Sequence, residues 1–164
     1  MENIRKIMVA IAFSNYSEGI FTYAANLAAT LNAELIVANV INSRDVDAVG
    51  SIVSMGYEVD GDHYIKGIRD ERKKSLEKIM ADAPLPAEKI RTVFKVGNPI
   101  EELLKLIIRE EIDMIVMGPK GRTDLEHIIV GAVAEKMFRR SPATVVSYRD
   151  ENHSKRLKKR IRLK

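Results

Sequence analysis

The architecture of this chain is set at Ile112–Gly121, IDMIVMGPKG, where an apolar run ends in a loop with two glycines. Gly131 follows after nine further residues and opens a stretch with helical character. Glycine lets a backbone approach an anion closely, and the first turn of a helix offers N–H groups and a partial positive charge. A buried strand, a glycine loop and a helix start in this order predict a phosphate cradle of the α/β type.

Four more segments have the composition of strands, and helical spacing of apolar residues lies between them. The strands are predicted at 7–12, 33–41, 90–96, 112–117 and 142–147. This alternation predicts a single-domain α/β protein, a Rossmann-like three-layer sandwich around a five-stranded parallel sheet. Ligands of such sheets bind at the carboxyl ends of strands where the strand order reverses. We expect that crevice between the first and fourth strands, beside Ala12-Phe13-Ser14 and Met117-Gly118.

The composition fits one soluble domain. The chain has 164 residues, of which 46% are apolar and 30% charged. It contains no cysteine, which excludes disulfides, thiolate metal sites and cysteine nucleophiles and agrees with a cytoplasmic location. The apolar run at residues 7–13 is too short to span a membrane and is expected to be the first buried strand.

The net charge of +4 is unevenly distributed. Residues 149–164 hold eight of the 27 basic and two of the 23 acidic residues, so the remainder is nearly neutral. We therefore divide the chain into a domain at 1–148 and a basic C-terminal tail at 149–164. A disordered, solubilising tail is the preferred interpretation. The alternative is a short basic amphipathic helix that contacts an anionic surface, either membrane or nucleic acid.

No residue pattern supports catalysis or a metal site. The three histidines are scattered, and the serines near the predicted loops have no evident histidine and acid partners. Asp113 starts a strand, away from the carboxyl ends, and is expected to be structural. Lys120 and Arg122 on the glycine loop favour an anion, and Asp124 and Glu126 could help hold a cation beside phosphates. The preferred interpretation of all four is solvated loop residues. The sequence therefore predicts a protein that is not an enzyme.

Several motifs together resemble the universal stress protein family over residues 4–148. They are Gly118-x-x-Gly121-x9-Gly131, Val133-Ala134-Glu135-Lys136, Ser141-Pro142-Ala143-Thr144-Val145-Val146 and Val96-Gly97-Asn98-Pro99. The resemblance implies a sheet of the adenine nucleotide alpha hydrolase type. It also implies a regulatory stress-response homodimer, joined through the last strand, Thr144 to Ser147. Covering an edge strand in this way is physically reasonable.

The resemblance further implies an adenine nucleotide, ATP, ADP or AMP, at the glycine loop. Val40 and Met117 would contact the base. Gly118, Gly121, Gly131, Ala132 and Val133 would present backbone groups to the phosphates. Two matching positions depart from the ATP-binding subfamily, since Ala12 stands where an acidic residue is usual and Ala132 where a hydroxyl residue is usual.

These two departures weaken the predicted site. Each lost hydrogen bond to a charged ligand costs about 1.5–3 kcal/mol. Two losses would weaken binding by roughly 10²–10⁴-fold. The alternatives are a protein of the same fold with an empty cleft that acts only through protein contacts, and a slow ATP hydrolase.

Overall fold

The fold alternates strands and helices along the chain. A computed structural model describes residues 3–47, 61–121 and 130–161. The strands are β1 (Lys6–Ala10), β2 (Glu34–Asn42), β3 (Ile90–Gly97), β4 (Met114–Met117) and β5 (Thr144–Ser147). The helices are α1 (Ser17–Leu31), α2 (Gly61–Met80), α3 (Pro99–Arg109), α4 (Ala132–Arg140) and α5 (Glu151–Lys158), with a 3₁₀ turn at Ala87–Lys89 and a short helical stretch at 43–47.

The five strands form one parallel sheet in the order β3-β2-β1-β4-β5. Val9 in the central strand pairs with Val37 of β2 on one side and with Val116 of β4 on the other. β2 and β3 lie on one side of β1, and β4 and β5 lie on its other side. The predicted parallel α/β sheet is confirmed, and the strand order reverses between β1 and β4.

The central strands are buried on both faces, which explains their continuous apolar runs. Ile7, Met8 and Val9 are all fully buried, although their side chains point alternately to opposite faces. One face packs on α1 and α2, where Phe21 and Leu76 are buried, and the other packs on α3 and α4. These two apolar layers make the three-layer sandwich that the sequence predicts.

Side-chain hydrogen bonds to backbone amides fix the start of one helix and the starts of two strands. The Asn98 side chain accepts hydrogen bonds from the Ile100 and Glu101 amides, and Pro99 occupies the first turn of α3. The Asp113 carboxylate accepts the amides of Arg5 and Lys6 at 2.8 and 2.9 Å. Asp113 is therefore structural, as expected, because it ties the start of β4 to the start of β1.

The expectation of a disordered tail is wrong for Glu151–Lys158, which form α5. The Asp150 side chain caps this helix by accepting from the His153 amide at 2.7 Å. His153 is only 4% exposed, and its ring meets the edge of Tyr16 at a centroid distance of 5.2 Å. The cap and this buried ring contact hold the helix against the N-terminal end of α1.

None of the helices described in residues 3–47, 61–121 and 130–161 is both long and apolar enough to cross a bilayer.

Candidate functional site

A cleft of about 410 Å³ opens at the carboxyl ends of the strands, where the order reverses between β1 and β4. Its volume falls in the range of small-molecule sites, about 300–1,000 Å³. All of the site residues predicted from the sequence line it. They are Ala12, Val40, Met117, Gly118, Gly121, Gly131, Ala132 and Val133. Residues that are far apart in the chain thus line the same cleft. That they bind a ligand stays a prediction.

The glycine loop is closed by a backbone hydrogen bond. The Gly131 amide donates to the Pro119 carbonyl at 2.7 Å, which joins the segment after β4 to the start of α4. Pro119 lacks an amide donor, but its carbonyl makes this closure. The predictions for Arg122, Asp124 and Glu126 concern residues outside the described ones.

Close packing accounts for one of the three loop glycines. A Cβ on Gly118 would lie 2.9 Å from Ile20 Cδ1 and 3.2 Å from the Lys120 carbonyl oxygen. A Cβ on Gly131 would lie 3.4 Å from Lys120 Cα and 3.6 Å from the Gly121 nitrogen. A Cβ on Gly121 would meet no described atom within 4 Å. Packing therefore explains the glycine at 118, whereas the distances at Gly131 are ordinary van der Waals contacts; Gly121 and Gly131 both line the cleft.

The N-terminus of α4 faces the cleft. Gly131 is the capping residue, and it has no side chain to satisfy the first amides of the helix. Ala132, Val133 and Ala134 follow and line the cleft. Helix N-termini attract anions through their N–H groups and dipole. Ala132 adds no hydroxyl at this point, so the polar groups of this helix start are its backbone amides.

Lys120 differs from its sequence-based interpretation as a solvated loop residue. It lines the cleft and is only 5% exposed. Gly118 and Pro119 are buried beside it, because the loop folds back against α1 and Gly131. A buried cation next to a helix N-terminus makes this end of the cleft suited to an anion.

The opposite end of the cleft contains a side-chain network that the sequence analysis missed. Asn39 of β2 is 2% exposed and donates from Nδ2 to the Ile11 carbonyl at 2.7 Å. Its Oδ1 accepts from Arg72 Nη1 of α2 at 2.7 Å. The Arg72 guanidinium lies 5.6 Å from the centre of the Phe13 ring. Asn39 could have been noticed in the sequence, because it is a polar residue within the apolar run of β2. No local pattern distinguishes Arg72 from the other charged residues of α2.

The charged groups that line the cleft favour an anionic molecule. The charged residues among its described lining are Asp45, Arg72 and Lys120, with a net positive charge. Across residues 3–47, 61–121 and 130–161 no group of three or more His, Asp or Glu side chains has a metal-binding arrangement. The arrangement offers backbone amides and two cations on an apolar floor.

The family model described as the universal stress protein family matches residues 3–149. This match spans nearly the whole chain, so the chain belongs to the universal stress protein family. Universal stress protein MJ0577 of Methanocaldococcus jannaschii is 26% identical over 157 residues, covering 90% of this chain and 96% of that relative. YxiE of Bacillus subtilis is 30% identical over 148 residues, covering 88% and 98%.

Solved structures show the same fold. That of MJ0577 matches with a TM-score of 0.69 and 23% identity, covering 91% of this chain and 99% of its own. A universal stress protein in complex with cAMP matches with a TM-score of 0.61 and 21% identity, covering 90% and 98%. An Archaeoglobus fulgidus universal stress protein in complex with dAMP matches with a TM-score of 0.56 and 14% identity, covering 90% and 99%.

Proposed function

We propose that this chain is a non-enzymatic regulatory protein of the stress response that binds an adenine nucleotide, ATP, ADP or AMP, in the cleft. The observation that carries the proposal is the convergence of the glycine loop, the N-terminus of α4 and Lys120 on one side of a single cleft. Phosphates would lie against these groups. The base would lie toward Val40 and Met117.

The similar structures support an adenine nucleotide as the ligand class. The two complexes named above hold cAMP and dAMP, which share an adenine and a single phosphate. The apolar floor of this cleft, formed by residues such as Val40, Leu103 and Met117, suits a purine ring. The net positive charge of the lining suits the phosphate.

Titration calorimetry of the nucleotide-stripped protein with ATP, ADP and AMP tests this proposal. We expect saturable binding at sub-millimolar concentrations, because the loop shape is intact while Ala12 and Ala132 supply no side-chain hydrogen bonds. CTP is the control, since it carries the same triphosphate on a pyrimidine. Equal affinities for CTP and ATP would argue for unspecific polyanion binding. No uptake of any adenine nucleotide at millimolar concentration would favour the empty-cleft alternative.

We also propose that the chain forms a homodimer through β5. This strand is at the edge of the sheet, with Thr144 exposed and its two valines half-buried. The Ser147 hydroxyl is buried and has no hydrogen-bond partner among the described residues. An edge strand with unpaired backbone groups is a natural place for a second copy to pair.

Sedimentation equilibrium tests the dimer. We expect the wild type to be dimeric and Thr144→Lys to shift the equilibrium toward monomer, because an edge lysine opposes strand pairing. Thr92→Lys is the matched control, since Thr92 is exposed on β3, at the opposite edge of the sheet. A monomeric wild type, or a dimer unaffected by Thr144→Lys, would contradict assembly through this strand.

Two smaller expectations complete the proposal. The exposed basic residues of α5 would contact an anionic surface, and because α5 is anchored by His153, this contact involves a fixed helix rather than a flexible tail. The location in the cell would be the cytoplasm.

A further inference from the structure

The cleft has two ends with different chemistry. The glycine loop, Lys120 and the start of α4 form one end. Asn39, Val40 and Asn42 of β2 form the other, together with Asp45 and Arg72. A nucleotide also has two chemically different ends, and its phosphates match the glycine-loop end. The β2 end then faces the nucleoside.

Arg72 stands apart from its neighbours on α2. Arg69, Asp70, Glu71 and Lys73 are exposed, whereas Arg72 is half-buried and lines the cleft. Holding a long arginine side chain in one position costs rotamer entropy, so a fixed arginine needs compensating contacts. Two such contacts come from Asn39 and from the Phe13 ring.

Asn39 is placed to hold this arginine. It is 2% exposed on a strand whose neighbouring positions are apolar, and both ends of its amide are used. A buried polar side chain is costly unless it is hydrogen-bonded. Its Nδ2 donates to Ile11, which fixes the amide so that Oδ1 faces Arg72. The orientation of the guanidinium is thus set from within the sheet.

The backbone just after β1, next to Arg72, has an unusual conformation. Phe13 has φ +53°, in the left-handed region that is uncommon for an aromatic residue. Such conformations persist where the surroundings fix them, and they concentrate at ligand sites. The ring of Phe13 lies under the Arg72 guanidinium.

We propose that Arg72 contacts the nucleoside end of the ligand, with Asn39 and Phe13 as its positioning residues. This inference rests on the proposed nucleotide site. A guanidinium carries five N–H donors and no acceptor, so it serves Asn39 and further acceptors together. Ring nitrogens of the base and oxygens of the ribose are such acceptors. Arg72 therefore determines specificity for a nucleoside over a bare polyphosphate.

Comparing ATP with inorganic triphosphate separates the two ends of the cleft. We expect Arg72→Gln to weaken ATP binding about tenfold, the lower range for a hydrogen bond from a charged group. Triphosphate binding should be unchanged, because it uses the glycine-loop end. Arg72→Lys should recover only part of the ATP affinity, since an ammonium lacks the planar fork. Arg69→Gln, exposed on the same helix, is the matched control and should change neither affinity.

Asn39→Ala provides an independent variant. In this variant Arg72 keeps its charge but loses the hydrogen bond to Asn39 that orients it. ATP affinity should therefore fall several-fold, while triphosphate affinity stays constant. Denaturation curves of each variant establish that the fold is retained. Unchanged ATP affinity in Arg72→Gln would overturn the inference and leave the proposed function standing. An equal loss for ATP and triphosphate would also overturn it. A wild type that binds neither molecule would overturn the proposed function itself.

Discussion

Gly118→Val should abolish measurable nucleotide binding and lower the free energy of unfolding. The added side chain would begin with a Cβ 2.9 Å from Ile20 Cδ1 and 3.2 Å from the Lys120 carbonyl oxygen. The isoleucine methyl can turn aside, but the carbonyl belongs to the loop backbone. Overpacking of this kind costs about 1–3 kcal/mol. Moving the loop also displaces Lys120 and Gly121 from the cleft, so we expect at least a roughly 100-fold loss of ATP affinity.

Two measurements on the same preparation check this result. Titration with ATP gives the loss of affinity, and urea denaturation gives the loss of stability. Gly67→Val is the matched control, because a Cβ at Gly67 of α2 would meet no described atom within 4 Å. That variant should bind ATP like the wild type and be no less stable, since glycine is a poor helix residue. A Gly118→Val protein with wild-type affinity would show that the tight loop is not needed.

Lys120→Met should weaken the binding of ATP about 100-fold while leaving the fold intact. Lys120 is 5% exposed and lines the glycine-loop end of the cleft, where phosphates are proposed to lie. Contacts between a buried ammonium and a phosphate are charge-assisted, and losing one costs about 1.5–3 kcal/mol. Methionine keeps the length and the apolar stem of the side chain. The loss should therefore come from the charge.

The binding of inorganic triphosphate is the decisive readout for Lys120. It should fall together with that of ATP, in contrast to the result expected for Arg72→Gln. The loss should shrink as ionic strength rises, because salt screens the contact in the wild type as well. Lys136→Met is the matched control, since Lys136 is exposed on α4. If Lys120→Met and Lys136→Met behave alike, Lys120 has no role at the phosphates.

Most of the fold could be predicted from the sequence, because the signals for it are local. The continuous apolar runs at Ile7–Ala10 and Met114–Met117 indicate strands buried on both faces, and helical spacing between strands indicates crossovers. Asn98 and Pro99 give a helix start from two adjacent residues. The right-handed crossover rule then leaves few arrangements of such a sheet.

The candidate site could be predicted in part for the same reason. The glycine loop is a contiguous signal, and the loop and the start of α4 are joined by one backbone hydrogen bond between Gly131 and Pro119. Val40 and Ala12 were assigned by the resemblance to the universal stress protein family, and Ala12 also lies at the end of a strand that borders the expected crevice. The structure brings all of these residues to one cleft.

The rest depended on contacts between side chains distant in sequence. In the sequence, Arg72 is one of several charged residues on a helix that is expected to be solvated, and Lys120 is one of several in a loop. Periodicity and composition do not indicate which charged side chain is buried. Likewise, a basic composition favoured a disordered tail, whereas a ring contact between His153 and Tyr16 anchors it.

The sequence by itself thus determined the strand and helix order, the parallel sheet and the glycine loop, since each follows from residues close together in the chain. Only the tertiary structure decided that Asn39 holds Arg72 at the cleft, that Lys120 is buried and that α5 packs on α1. The physical reason is that burial and hydrogen bonding of a polar side chain depend on what the fold places around it. Residues 33 positions apart, as Asn39 and Arg72 are, have no local pattern that links them.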